Sequence, residues 1–424
     1  MGIGFAIIGV TLLLVAAVSR YLTGTPFTPA MLVVAIGVLV GPLVLDRIDL
    51  QPTSATVRTL AEATLAVVLF SDSSRVNLRA LKSETSIPVR LLGIGLLLTI
   101  AAGGLAGKVL FGSFSLNDAL ILGVVLAPTD AGLGSAVVTD TRLPQVVRQS
   151  LNVESGLNDG ICVPLLLILL GIAGGSASHP LRIVSEEIGY GILSGLGAAI
   201  LSSAIVIFTS RRNMIDATWR QIIPLATTLA AYGAALALGG SGFIAAFVAG
   251  ATFGFAVDHL EDAMRLTEET GVALDSITFL VFGAVLLGPA FKEVSWNIVI
   301  YAVLSLTLVR MVPVALALLG SHARAPTVAF MGWFGPRGLA SIVFAVIVED
   351  THLPHAAEIA TITYLTVALS VLVHGLTAAP LVDRYVGWFK VASGKATLIE
   401  SSPTHEHRLA LRANAGRVQP APPR

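Results

Sequence analysis

Charge is scarce in this sequence. Asp, Glu, Lys and Arg make up 12% of the 424 residues, against roughly 25% in a water-facing globular chain. The hydrophobic share is 55%, with a mean hydropathy of +0.85. A chain so composed cannot cover its surface with polar groups, which excludes a cytosolic enzyme and an intrinsically disordered protein. The 26 basic residues only balance 26 acidic ones, so no global positive charge is available to hold nucleic acid. Cysteine is nearly absent. The single Cys162 excludes a disulfide framework or a thiolate metal site and reads as a small buried apolar residue. What remains is a membrane protein.

The sequence is rich in long apolar runs. A hydrocarbon core of roughly 30 Å needs about 20 apolar residues in a helix. Windows of that kind fall at 3–19, 27–45, 55–71, 88–111, 116–138, 145–173, 183–209, 218–238, 241–256, 270–290, 296–319, 325–348 and 357–380. They predict an all-α polytopic membrane protein of about 13 transmembrane helices. The first window has the length of a signal peptide, yet Met1 to Gly4 carries no basic residue and Val18 to Tyr21 offers no small-residue cleavage site, so it is read as a span.

Cytoplasmic loops hold the excess of Lys and Arg. Alternate loops carry Arg20, then Arg75, Arg79, Lys82 and Arg90, then Arg142 and Arg148, then Arg211, Arg212 and Arg220, then Arg265, then Arg324. The intervening loops carry Arg47, Arg58, Lys108, Arg182 and Lys292. This asymmetry predicts a multi-pass protein with its N-terminus outside and its C-terminus cytoplasmic, and the plasma (inner) membrane is the expected location. An odd number of spans requires that opposite placement. A transmembrane domain is thus expected over 1–385. Segment 386–424, with Pro403, Pro420, Pro422 and Pro423 and no apolar period, reads as a solvated cytoplasmic tail.

Two windows are interrupted, the fifth at Ala127-Pro128-Thr129-Asp130-Ala131-Gly132 and the twelfth at Gly332-Trp333-Phe334-Gly335-Pro336-Arg337-Gly338. Proline removes a helical hydrogen bond and glycine admits unusual backbone angles, so each break frees carbonyls and amides that can line a cavity. If windows one to six repeat as eight to thirteen, the fifth corresponds to the twelfth. Two inverted six-helix repeats, with discontinuous helices crossing at the midplane, are therefore expected.

The sixth window holds Glu154 and Asp159 in the run Asn152 to Gly160. A carboxylate at the bilayer centre costs roughly 2.5 to 3.5 kcal/mol on insertion scales, so such groups have a partner or a task. At about 100° per residue, Ser155 and Asp159 share one face, while Glu154 and Asp159 lie about 140° apart. Glu154 is expected to form a buried pair with an Arg on another helix, Arg337 being the candidate. No basic residue lies within two helical turns of Asp159 along the sequence, as suits a site for a mobile cation or proton. Asp72 is either a third acid of the same cavity or a local partner of Arg75 or Arg79, and Glu62 is a local partner of Arg58. Arg310, also inside a span, serves carbonyls or snorkels and is given no transport role. His374 is read as a satisfied polar residue of the last span.

With these residues located, the chain resembles the monovalent cation:proton antiporters of the sodium/proton exchanger family (the cation:proton antiporter-1 branch, prokaryotic type) over roughly residues 1 to 385. Ala127-Pro128-Thr129-Asp130, Glu154-Ser155-Gly156-Leu157-Asn158-Asp159 and Gly335-Pro336-Arg337-Gly338 carry the resemblance, in that order. It implies a homodimer in which a scaffold holds the partner, while a core bundle including 88–173 and 296–380 carries the ion in an elevator-like movement. It implies Asp159 as the cation and proton ligand, with Thr129, Asp130 and Ser155 completing the cation site and Asn158 marking the electroneutral type. Asp72 matches the family's acidic position on the third span, and Glu154 with Arg337 its buried ion pair. Many members have Pro after the Thr-Asp pair, whereas Ala131 and Gly132 follow here. The implied cargo is protons and sodium, with potassium or lithium as alternatives; no cofactor and no nucleic acid are implied.

The mechanism expected from these residues is competition: Asp159 binds a proton or a dehydrated monovalent cation, and the loaded core exposes it to alternate sides, which serves pH homeostasis. A passive cation channel is the alternative, but no carbonyl filter such as Thr-Val-Gly-Tyr-Gly occurs. An intramembrane aspartyl protease would use a shared-proton pair of acids; its Gly-x-Gly-Asp is missing, and the paired breaks would serve no purpose in it.

Overall fold

The computed structural model describes residues 2–22, 25–45, 55–76, 87–173, 180–257, 261–351, 353–394 and 398–402, all of them helix or connecting turn. Arg47, Arg79 and Lys82, which entered the charge asymmetry, lie outside the described residues. Each apolar window holds one helix or a broken pair. Among the described residues, seven helices are long and apolar enough to cross a membrane, and Pro29–Val40, Leu116–Val125, Gly242–Ala256 and Leu339–Glu349 are shorter apolar ones.

The first four helices are α1 (Gly2–Leu22), α2 (Pro29–Val40), α3 (Ala55–Arg75) and α4 (Ile87–Leu110), the last with a π turn at Leu91–Gly95. The first broken window follows. Helix α5 (Leu116–Val125) starts on a capping box between Ser115 and Asp118, and the chain runs without helix from Leu126 until α6 (Ser135–Val138). Helix α7 (Gln145–Ala173) then passes through the interior. Helices α8 (Pro180–Arg211), α9 (Ala217–Ala237), α10 (Gly242–Ala256) and α11 (Ala263–Lys292) follow, with Asp216 and Ser241 capping the starts of α9 and α10. The next window is divided at Thr307 into α12 (Trp296–Leu306) and α13 (Leu308–Ala317). The second break separates α14 (Ala325–Trp333) from α15 (Leu339–Glu349), and α16 (Ala356–Ser393) closes the bundle.

The main apolar core joins these elements around Leu65, Phe114, Leu122, Phe279, Phe282, Tyr301 and Phe344, all 1% exposed or less. Apolar side chains also cover the outside, as lipid replaces water there: only 6% of the α1 window is buried, against 61% for α11. The unusual residues are therefore the interior polar ones. Glu154, Asn158, Asp159, Arg310 and Arg337 are all buried.

The expected tail boundary at 386 is corrected. Helix α16 runs on to Ser393, and the chain returns at 398–402, where Leu398 is buried and Glu400 is only 1% exposed. Glu400 Oε1 accepts the Arg324 amide at 2.9 Å and the Thr327 hydroxyl at 2.6 Å. A carboxylate thus satisfies the start of α14, which has no side-chain cap of its own. One buried acid in a Ser- and Pro-rich stretch leaves no periodic signal, so composition alone reads the whole stretch as solvated. Residues 403–424 of the expected tail lie outside the described residues. Glu400→Ala is expected to destabilise the protein by about 1 to 2 kcal/mol, the usual worth of a lost helix cap, and Glu400→Gln by less, since its amide oxygen still accepts. Thermal unfolding in detergent measures both.

Candidate functional site

Helix α7 brings its polar run to the centre of the molecule. Every residue from Val146 to Gly160 is buried, and one turn of helix separates Ser155 from Asp159. The first break lies beside this face. Thr129 Oγ1 is 3.0 Å from Ser155 Oγ and accepts from Asn158 Nδ2 at 2.7 Å. The expected residues Thr129, Ser155 and Asn158 are therefore one hydrogen-bonded group, on the same turns of α7 as Asp159. Asn158 Oδ1 is fully enclosed and meets no donor among the described residues. Cys162, fully buried less than one turn beyond Asp159, is apolar filling as expected.

Asp130 and Arg337 hold the two breaks together. The Asp130 amide donates to Pro336 O at 2.8 Å; its Oδ1 accepts from the Gly132 and Leu133 amides and its Oδ2 from the Leu339 amide at 3.1 Å. The carboxylate thus sits at the amide-rich start of α15 and of the turn leading into α6, where helix ends are positive. Arg337 Nη1 donates to Ala127 O at 2.8 Å and Pro128 O at 3.3 Å, placing a cation on the carbonyls released beyond the C-terminal end of α5. Gly338 must lack a side chain for this to form, because a Cβ there would lie 2.2 Å from Asp130 Oδ2.

The expected Glu154–Arg337 pair is corrected by this geometry. The partner of Glu154 is Arg310, whose Nη1 and Nη2 reach Oε1 at 2.5 Å and Oε2 at 2.8 Å in a bidentate fork, both side chains being 3% exposed or less. Helix α13 carries Arg310 beneath the second break, where Gly335 leaves room; a Cβ on Gly335 would lie 2.5 Å from Arg310 Nε. Arg337 leaves the same break in another direction, toward the carbonyls of the first. Both arginines are visible in the sequence as charges inside apolar windows, but spacing along a chain does not tell which of two helices faces Glu154.

Asp72 is held locally. Arg75 Nη1 donates to its Oδ1 at 2.7 Å, while Arg75 Nη2 donates to Ser71 Oγ at 2.7 Å and Nε to Glu268 Oε1 at 3.2 Å. The Asp72 main chain packs on α7 at Gly156, 3.4 Å from where a Cβ would stand, so its helix flanks the site while its carboxylate makes the i, i+3 pair. Glu62 is likewise paired, with Arg58 at 2.7 Å and with the Tyr232 hydroxyl at 3.1 Å. Arg58 also contacts Asp350, which joins α3 to the end of α15.

Comparisons agree with this architecture. The sodium proton antiporter MjNhaP1 from Methanocaldococcus jannaschii, solved at pH 8, superimposes with a TM-score of 0.70 at 22% identity, over 91% of this chain and 99% of that one; the fold is shared. The K(+)/H(+) antiporter NhaP of Alkalimonas amylolytica is 22% identical over 401 residues, 94% of this chain and 68% of its own length. The K(+)/H(+) antiporter NhaP2 of Shewanella sp. (strain MR-4) is 26% identical over 387 residues, 88% of this chain and 65% of its own. The chain therefore spans about two thirds of the length of these curated relatives. A sodium, potassium, lithium and rubidium/H(+) antiporter of Bacillus subtilis (strain 168) is 28% identical over 238 residues, 54% of this chain and 35% of its own. The family model described as sodium/hydrogen exchanger, transmembrane, matches residues 9–384, nearly the whole of the helical bundle, and the chain belongs to that family.

Proposed function

We propose that this chain is a secondary active transporter that exchanges a monovalent cation for protons, with Asp159 as the group for which they compete. The observation that carries the reading is the buried Asp159 on the turns of α7 whose Ser155 and Asn158 join Thr129, beside the place where the two breaks hydrogen-bond to each other. Oxygen donors of this kind, a carboxylate, two hydroxyls and the undonated Asn158 Oδ1, suit a hard cation such as sodium, potassium or lithium. Asp130 spends its oxygens on amides of both breaks, so its contribution to the cation is negative potential and a fixed position for Thr129.

A proton on Asp159 and a cation beside it each neutralise the same charge, and a neutralised site crosses a low-dielectric barrier far more cheaply than a bare carboxylate. Alternating exposure of the loaded site then couples the two gradients, one cation for one proton, with Asn158 contributing no second charge. Family membership and the antiporter names of the relatives favour exchange over a passive channel. The same reading includes inverted repeats, a core moving against a scaffold, a homodimer, and residence in the inner membrane with the N-terminus outside.

The experiment is proton-gradient collapse in inside-out vesicles on adding sodium, potassium or lithium between pH 6 and 9. Saturable collapse that needs an opposing proton gradient is the expected result. Flux that proceeds without coupling to protons would return the passive channel, and no response to any ion, with insertion verified, would refute the reading.

A further inference from the structure

His374, 2% exposed on α16, touches one end of the second break directly and reaches the other through Ser370. Its Nε2 is 3.0 Å from Trp333 O, the last residue of α14. Its Nδ1 is 3.1 Å from Ser370 Oγ, one turn back on the same helix, and Ser370 Oγ accepts the Arg337 amide at 2.7 Å. Trp333 O can only accept, so Nε2 carries the ring hydrogen; Ser370, having accepted from Arg337, has its own hydrogen to give to Nδ1. Ser370 O also lies 3.0 Å from Nδ1. Donation to it would need a second ring proton, hence a third cation near buried Arg310 and Arg337. Trp333 is fixed to α16 twice more, by Nε1 donating to Thr377 Oγ1 at 3.0 Å and by its ring lying 5.4 Å from the imidazole.

We infer that His374 and Ser370 form a clamp on α16 that sets the separation of α14 and α15, and that they are positioning residues for cation binding. Their hydrogen bonds run to the second break and not to Thr129, Ser155 or Asn158 among the described residues. Their effect passes through the stretch they hold: Pro336 O and the Leu339 amide meet Asp130, Arg337 meets Ala127 and Pro128, and Thr129 lies between those partners. A break held only at one end would let Thr129 move relative to Ser155 and Asn158, which weakens cation binding before it alters the carrier's movement. This inference rests on the exchange reading for its transport consequence, but the clamp itself is local structure.

The test uses the full chain reconstituted in liposomes, as wild type, Ser370→Ala, His374→Leu, His374→Gln and the Ser370→Ala/His374→Leu double variant. Half-saturating cation concentration and maximal rate are measured with sodium and potassium, and amide hydrogen exchange is followed over residues 333–339. Each of Ser370→Ala and His374→Leu is expected to raise the half-saturating concentration about tenfold, the equivalent of one lost hydrogen bond, with the maximal rate retained. The double variant should be no worse than the weaker-binding single one, because the two bonds form one chain. His374→Gln, which keeps an N–H for Trp333 O, should recover part of the loss. Faster exchange of the Arg337 amide should accompany the loss.

An unchanged half-saturating concentration in folded variants, a fall confined to the maximal rate, or additive effects in the double variant would overturn the inference. If His374→Leu fails to fold, Ser370→Ala and His374→Gln decide by the same criteria. If the wild type transports no cation at all, the exchange reading fails instead; unchanged hydrogen exchange of the Arg337 amide in the variants then overturns the clamp, and faster exchange upholds it.

Discussion

Asp159→Asn is expected to reduce cation-dependent collapse of a proton gradient to the level of vesicles without the protein. The substitution keeps the side chain's shape and two polar atoms but removes the one group on that face of α7 that can hold either a proton or the charge of a cation. The variant should not be less stable, because a neutral amide costs less to bury than a carboxylate, and Asp159 is only 8% exposed. The measurement pairs vesicle fluorescence with a thermal melt of the purified variant. Activity lost at an equal or higher melting temperature identifies Asp159 as the shared ligand. Saturable exchange above background in a well-folded variant would remove it from that role and turn attention to Asp72 or Asp130. Asn158→Asp is a useful companion, since a second ionisable group at that place should make turnover respond to membrane voltage.

The largest effect on stability belongs to Glu154→Gln. It leaves Arg310, 1% exposed, as a buried charge without its carboxylate, and breaking such a pair from one side typically costs about 3 to 5 kcal/mol. Replacing both partners, as in Glu154→Gln/Arg310→Met, should recover most of that loss, because the penalty comes from the stranded charge rather than from the missing attraction. The same cycle run with Arg337→Met should show no recovery. Arg337 donates to the carbonyls of Ala127 and Pro128, so removing it leaves those acceptors open and adds a second defect. Melting temperatures of the five variants and the wild type in detergent decide between the two arginines. A rescue by Arg337→Met instead of Arg310→Met would contradict the observed fork.

Much of this protein is legible in one dimension. A membrane core imposes a length and a polarity on every helix that crosses it, so apolar windows and their interruptions appear directly in the residue order. Pro128, Pro336 and Gly338 announce the two breaks because a missing amide hydrogen and a missing side chain act locally. Ser155 and Asp159 fall on one face because a helix has a fixed turn angle. The resemblance carried by Thr129, Asp130, Asn158 and Asp159 belongs to the same order of information, since these residues lie in short contiguous runs.

The choice of partner could not be read in this way. Arg310 and Arg337 have the same charge and the same kind of apolar surroundings in the sequence, and only the packing of α13 beneath Gly335 brings the first of them to Glu154. The split of Asp72 toward Arg75, the docking of Glu400 on α14 and the hold of His374 and Ser370 on the two ends of the second break are decisions of the same sort. Each joins residues far apart along the chain, or chooses among neighbours within two helical turns, and each is set by fit in three dimensions. Sequence by itself determined the membrane class, the breaks and the acidic residue between them, through constraints that act within a helical turn. The tertiary structure alone decided which charges meet, because electrostatic and hydrogen-bond energies depend on separations that no spacing along a chain specifies.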